Sequence, residues 1–388
     1  MSSAGSTCRA LLDSLCQGRP GVGPLTRFRP EGFDVTLAAE VKDVPEPPEG
    51  LGRAAWYALL AANQALDDSG LPDERRRETA AIIGSTKGLV DILELAWRNN
   101  RAGPPKASGL QAAPWADSPA RCVAQELGLG GPVTGLAAAC ASGPYSIAYA
   151  AELLRAGRAK AAVAGATDAP IVPSLMAAFA NLGVMTRSNE RGSTAARPFC
   201  ATRDGLVLSE AAGALLLETV ADARARDARI YAELAGWALA GEACHITAPP
   251  QDPAVPARAL RQALVLAAVP PEELDYINAH GTATRRNDSY ETQAIKEALG
   301  QLAYSVPVSS IKGITGHPMA AAGAIDAVVS VLALEHGMIP PTANYQQPDP
   351  ECDLDYVPNE PRQARLRTVL SSSLGFGGHV AMLVFRKV

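Results

Sequence analysis

Apolar positions along this chain fall into short runs and small-residue stretches that alternate like the elements of an α/β protein. Residues 7–16 are predicted as a short helix. Residues 20–50, rich in Pro and Gly, read as loop with one strand-like stretch at 35–41. A helix is predicted over 53–69, followed by a buried strand at 80–84 that Gly84 and Ser85 close. Residues 103–115 read as loop because Pro and Gly recur through them. An alanine-rich helix opened by Cys140 runs to about Ala156, and strands are predicted at 161–165, 206–208 and 214–218.

The second half repeats this order. Strands are predicted at 230–237, 275–278 and 306–309, with helices at 254–268 and 290–299 among them. A second small-residue helix spans 318–336, with Pro318 at a position that helices accept in their first turn. The chain closes on strands at 368–372 and 381–385 around the turn Gly375-Phe376-Gly377-Gly378. Cys140 enters one long alanine-rich helix and His317 enters the other, a weak internal repeat. That pattern predicts an α/β fold of two similar halves, 1–228 and 229–388, whose helix N-termini meet at a central site.

Composition narrows the function classes. A chain of 388 residues with 47% hydrophobic and 19% charged positions can bury a large core. The net charge of −5 gives no basic excess for nucleic acid. No apolar run is read as long enough to span a bilayer, and residues 1–7 lack a signal-peptide core, so a cytoplasmic protein is expected. Seven cysteines lie without CxxC pairs or zinc-like spacing, which predicts free thiols and no metal site.

Three junctions carry chemistry: Ala138-Ala139-Cys140-Ala141-Ser142-Gly143, Asn278-Ala279-His280-Gly281-Thr282-Ala283-Thr284 and Lys312-Gly313-Ile314-Thr315-Gly316-His317. They set one thiol and two imidazoles at predicted strand ends or helix starts, where polar groups reach a shared cleft. A helix N-terminus is expected to lower the Cys140 pKa from its usual value of about 8.5. In this order, each in a glycine-rich junction, the three resemble the elongating β-ketoacyl-acyl carrier protein synthases.

The resemblance covers nearly the whole chain from about Thr7 and implies the thiolase-like fold, two α/β halves layered α-β-α-β-α. It implies an acyltransferase that condenses an acyl thioester held on Cys140 with malonyl-acyl carrier protein, in fatty acid or polyketide and polyene elongation. His280 and His317 would be the decarboxylation pair, with Lys312 and Glu291 as their electrostatic support. The backbone N–H of Phe376 would pair with that of Cys140 to bind the thioester oxygen, while the Phe376 ring gates the site within the Gly375 and Gly377 turn. Thr282 and Thr284 would bind the phosphopantetheine arm, which arrives on acyl carrier protein, and Phe179 would join the substrate-binding residues. No cofactor would be resident. Asp204, Glu210 and Asp288 read as structural, His336 as exposed, and His245 and His379 as near the cleft without chemistry.

A homodimer built around the strand 161–165 is expected, with a heterodimer of homologous subunits as the alternative. Two departures from the family stand out. Its first apolar strand would precede this sequence, so a gap between two strands of the first sheet is expected. The segment holding Asp91, Glu94 and Trp97, after Gly84-Ser85-Thr86-Lys87-Gly88, points to an unusual chain such as a polyene or aromatic starter. A non-catalytic chain-length-factor-like subunit is the competing function; it would lack the nucleophile that this chain has. Starter-type synthases carry Asn in place of His317, thiolases add a second Cys, and no motif supports a cysteine hydrolase.

Overall fold

The computed structural model describes residues 1–98 and 115–388. The loop expected over 103–115 lies, but for Trp115, outside the described residues. Of the strand expected at 35–41, a two-residue ladder forms, β1 (Gly23–Pro24) with β2 (Leu37–Ala38), and Ala39 adds a single parallel bridge to Ser209. The first sheet comprises β3 (Thr79–Gly84), β4 (Val133–Leu136), β5 (Ala161–Asp168) and β6 (Ala211–Glu218) in the order β4-β3-β5-β6, with β6 antiparallel to β5. The second comprises β7 (Glu233–Gly241), β8 (Tyr276–Asn278), β9 (Val308–Ser309), β12 (Thr368–Gly375) and β13 (His379–Arg386) in the order β7-β13-β12-β8-β9. A short ladder of β10 (Met338–Ile339) with β11 (Arg362–Gln363) stands apart.

The helices in chain order are α1 (Cys8–Cys16), α2 (Arg53–Ser69), α3 (Val90–Arg98), α4 (Ser118–Leu127), α5 (Ser142–Arg155), α6 (Pro173–Asn181), α7 (Val220–Ala225), α8 (Ala254–Leu266), α9 (Arg285–Leu299), α10 (Lys312–Thr315) and α11 (Ala322–His336). Thr7 caps α1, its hydroxyl accepting from Ala10 N at 3.1 Å. α2 and α4 cover the outer face of the first sheet, α8 and α9 that of the second, and α5 and α11 lie between the sheets. This is the expected α-β-α-β-α layering.

The sheets correspond strand for strand: β3, β4, β5 and β6 match β8, β9, β12 and β13 in order and direction. The counterpart of β7 therefore belongs at the free edge of β6. The expected gap inside the first sheet does not exist, because β5 pairs directly with β3 and β6. At that outer edge Ser2 bridges Ala211, and Met1 and Ala212 exchange backbone hydrogen bonds at 2.9 Å.

Two further expectations are corrected. The strand proposed as the dimer interface, within β5, is buried along its whole length between neighbours of its own chain. An interior strand offers no free backbone; the edge strands of this sheet are β4 and β6, and Met1 and Ser2 meet the start of β6. The stretch Met319–His336 does reach membrane-spanning length, with mean hydropathy 1.4 over 18 residues, but 89% of it is buried inside the fold. It is apolar all round because both sheets flank it.

The central helices meet without room for side chains. A Cβ on Gly143 would lie 2.5 Å from Ala324 N, and one on Gly323 would lie 2.4 Å from Pro144 Cδ and 2.5 Å from Ser373 Oγ. Replacing Gly323 with Ala is expected to cost about 1–3 kcal/mol through overpacking. Urea unfolding of the variant beside the parent checks this, and an unchanged midpoint would refute the crossing as a tight contact.

Candidate active site

Cys140 stands in a strained turn between β4 and α5. Ala139 before it has φ 47°, a left-handed conformation that costs a residue with a Cβ about 1–2 kcal/mol. Ser142 holds the turn: its Oγ accepts from Ala138 N at 2.9 Å and donates to Ala139 O at 2.7 Å. α5 begins only at Ser142, so Cys140 precedes the helix rather than opening it. The expected fall in thiol pKa is reversed. Burial pushes the Cys140 thiol up to about 11, while Lys87, Lys312 and the Phe376 N–H pull it down without prevailing.

His280 follows β8, and Glu291 on α9 fixes its backbone by accepting from His280 N and Gly281 N, each at 2.8 Å. His317 is pinned by a bridge to Leu208: His317 N donates to Val207 O at 2.8 Å, and Ser209 N donates to His317 O at 3.1 Å. Gly316 makes that bridge possible, since at its φ of 66° a Cβ would lie 2.8 Å from Ala39 Cβ and 2.9 Å from Ser209 Cβ.

The two rings meet edge to face with centroids 5.3 Å apart, and ligand-type atoms of Cys140, His280 and His317 all lie within 4.8 Å of one another. All three residues are buried. Burial holds both imidazoles well below their ordinary pKa; Lys312 adds to this at both, and His317 adds to it at His280. Both are neutral at neutral pH. Each Nδ1 is buried without a partner among the described residues, which leaves Nε2 as the donor for a ligand.

Lys312 does not pair with Glu291. Its Nζ donates to Asp326 Oδ2 on α11 at 2.8 Å, in a pair that is almost wholly buried. Burial lifts Asp326 to about 6 against the pull of Lys312, and burial likewise raises Glu291. Asp326 escaped the sequence reading; its signal is a lone charge inside the apolar run of α11. Asp168, at the end of β5, also went unnoticed. It accepts from Ser85 Oγ, Thr86 N, Thr86 Oγ1, Lys87 N and Ala320 N, and so ties the turn after β3 to the start of the α11 segment.

A cavity of about 490 Å³ opens over the three residues, with Thr282, Thr284 and Phe376 on its wall beside Gly375 and Gly377. Thr282 and Thr284 hydroxyls bond each other at 2.9 Å on that wall. Phe179 is not on it. Phe179 lies in the apolar cluster that contains Cys140, Ile171, Met176 and Met319, against which Phe376 packs. Asp91 accepts from Arg53 N at 2.8 Å at the start of α2, and Glu94 and Trp97 line a separate shallow depression with Leu93 and Ser174. None of these three reaches the cavity over Cys140.

Glu210 and Asp288 are buried and bonded within the fold, to Arg27 and Arg53 and to Phe199 N respectively, while Asp204 accepts from Thr186 and Arg197 at the cavity's rim. His336 and His245 are exposed, and His379 packs edge-on to Tyr145. The Cys140, His280 and His317 atoms fit a metal ion poorly. A cation there would face the nearby Lys312 charge, and neither Nδ1 has the acceptor that ligating imidazoles normally bond.

Residues 2–223 match the family model of the β-ketoacyl synthase N-terminal domain, and residues 231–346 match that of its C-terminal domain. The chain belongs to the β-ketoacyl synthase family. It is 38% identical to 3-oxoacyl-[acyl-carrier-protein] synthase 2 of Synechocystis sp., over 99% of this chain and 95% of that one. It is 40% identical to the tetracenomycin polyketide synthase ketoacyl synthase alpha subunit of Streptomyces glaucescens, over 99% and 94%. Among solved structures, the ishigamide ketosynthase/chain length factor superposes with a TM-score of 0.91 at 36% identity, covering 100% of this chain and 96% of that one. A type II polyketide ketosynthase, AntDE, in complex with its acyl-carrier protein AntF and bound to the hexaketide, gives 0.89 at 33% identity, covering 100% and 97%. The thiolase-like fold of these ketosynthases is the fold of this chain.

The raised thiol pKa gives a direct test. Alkylation of Cys140 by iodoacetamide should keep rising as pH is taken from 7 to 10, because the thiolate fraction grows toward a pKa of about 11. A plateau reached near pH 8 would show that the thiol is not raised.

Proposed function

We propose that this ketosynthase joins two acyl units by decarboxylative Claisen condensation, with the acyl group carried on Cys140 and the malonyl unit delivered on acyl carrier protein. The observation that carries the reading is the cluster of one thiol and two neutral imidazoles within 4.8 Å at the floor of a cavity. In the first half-reaction the Cys140 sulfur attacks the incoming acyl thioester, loses its proton and expels the carrier thiol. The Phe376 N–H, already directed at the thiol, with the Cys140 N–H receives the oxyanion. In the second, malonyl thioester loses CO2, and its enolate oxygen is held by Nε2–H of His280 and His317. The carbanion then attacks the Cys140 thioester, breaks the C–S bond and leaves a 3-oxoacyl thioester on the carrier.

Other residues support these steps. Burial, reinforced by Lys312, keeps both imidazoles unprotonated; Lys312 is itself held by Asp326, and Glu291 positions His280 through its backbone. Thr282 and Thr284 face the route by which a phosphopantetheine arm reaches Cys140, and the Phe376 ring, hinged between Gly375 and Gly377, separates that route from the apolar cluster holding Phe179. The two halves divide near residue 228, between the end of β6 and the start of β7. Seven free cysteines suit the reducing cytoplasm. A chain-length-factor-like role is disfavoured because the nucleophile and both histidines are assembled.

The partner edge is β4. Pro132 O and Leu136 O face β3, where they accept from Ala81 N and Ser85 N, so Val133 presents its backbone outward and its side chain is 42% exposed. A second copy or a homologous subunit pairing there would continue the sheet. Val133→Pro, which removes an outward donor, is expected to shift sedimentation from dimer toward monomer; an unchanged dimer would place the interface elsewhere.

Two variants separate the half-reactions. Cys140→Gln should abolish condensation yet keep malonyl decarboxylation, and His317→Ala should lower decarboxylation on the order of 100-fold while acyl transfer to Cys140 persists. Loss of acyl transfer alone in both variants would overturn the assigned roles.

A further inference from the structure

One charged side chain beside the nucleophile has no task in the mechanism above. Lys87 follows the end of β3, in the turn that Asp168 secures. Of the charges acting on the Cys140 thiol, that of Lys87 is the largest, ahead of Lys312. Its Nζ lies 5.8 Å from the centroid of the Phe179 ring, and Phe179 belongs to the same apolar cluster as Cys140. The ammonium therefore stands beside the apolar cluster that contains the nucleophile, and it is not on the wall of the cavity that Thr282 and Thr284 line.

Its bonding is incomplete. An ammonium has three donors, and Lys87 Nζ makes one hydrogen bond, to Thr86 Oγ1 at 3.0 Å. The Thr86 hydroxyl is committed in turn to Asp168 Oδ2 at 2.6 Å. Asp168 makes no direct ion pair with Lys87, and its two oxygens accept five hydrogen bonds from Ser85, Thr86, Lys87 and Ala320. Among the described residues no carboxylate forms an ion pair with Lys87. Lys87 is half-buried, and a saturated alkyl chain laid over Phe179 would strip the remaining water from this cation and return nothing to it, an unfavourable exchange for a charge. A chain with an oxygen acceptor at that depth would replace the lost water.

We propose that Lys87 selects the acyl group, favouring chains that carry a carbonyl or hydroxyl oxygen beyond the thioester over saturated alkyl chains. The inference rests on Cys140 being the acyl acceptor, as argued above. Lys87 acts as a specificity residue that contacts the acyl chain, and its own ammonium is the donor.

The test uses the whole protein and two small acyl donors of equal chain length, hexanoyl- and 5-oxohexanoyl-N-acetylcysteamine. The rate at which Cys140 gains each acyl mass is followed by intact-protein mass spectrometry in the parent, Lys87→Met and Lys87→Arg. The parent should acylate faster with the oxo chain. Lys87→Met should cut that preference by tenfold or more, chiefly by slowing the oxo donor, and Lys87→Arg should restore most of it. Iodoacetamide alkylation of Cys140 across pH in the same variants measures the thiol directly. Equal slowing of both donors together with slower alkylation would mean that Lys87 acts on the sulfur alone, and would overturn selection of the chain. An oxo preference absent in the parent, or unchanged in Lys87→Met, would overturn it as well. If neither donor acylates Cys140 although iodoacetamide does, the acyl-acceptor reading fails and this inference fails with it.

Discussion

The contact on which the structure depends is the crossing of α5 and α11 between the sheets, where Gly143 meets Ala324 and Gly323 meets Pro144. Each helix is entered from a junction that holds a reactive residue, Cys140 two positions before α5 and His317 five before α11. Bringing the helices to backbone contact brings those junctions together. Small residues are thus required at the crossing for a reason that lies at the site: a larger side chain at either glycine would separate the thiol from the imidazole by moving whole helices. Close packing transmits such shifts because the interior has few voids to absorb them.

The same burial sets the electrostatics. Cys140, His280 and His317 are buried, so each is driven toward its uncharged form: the thiol up to about 11, the imidazoles well below their ordinary range. One buried cation, Lys312, reinforces neutrality at the imidazoles and works against it at the sulfur. It survives in the core because Asp326 pairs with it at 2.8 Å; removing either partner would leave an uncompensated charge. The pair also joins the junction before His317 to the body of α11, so the charge that tunes the rings sits on the scaffold that places one of them.

Much of this was legible in the residues. Helix α2 was read at its observed bounds, and β3, β5 and β6 were located to within a few residues, because apolar runs bounded by glycine and polar residues mark buried strands. The three junctions were legible because glycine and small residues surround each reactive side chain. What escaped depends on through-space contacts. Asp326 lies 14 positions from Lys312 and reads as an odd charge in a core helix until the fold closes. The thiol pKa was misjudged because a helix start was weighed and burial was not. The place of the family's first strand in the sheet was misjudged because sheet order is not written along the chain; the second half, with β7 at an edge beside β13, holds that information only once its pairing is known.

A site whose resting groups are all uncharged has a consequence for how the proposed chemistry is arranged. Charge appears there only transiently, on a thioester oxygen or an enolate, and only then do the fixed donors find full use. The Phe376 N–H and the two imidazoles are held by the backbone around them, by Glu291 at His280 and by the Leu208 bridge at His317, so no reorganisation is needed when that charge develops. Among groups so buried a permanently unpaired charge would undo the arrangement unless something met it. Lys312 has Asp326. Lys87, half-buried at the edge of that region, forms no ion pair among the described residues and donates to a threonine hydroxyl over the Phe179 ring, and so its surroundings are the ones an arriving acyl chain can change.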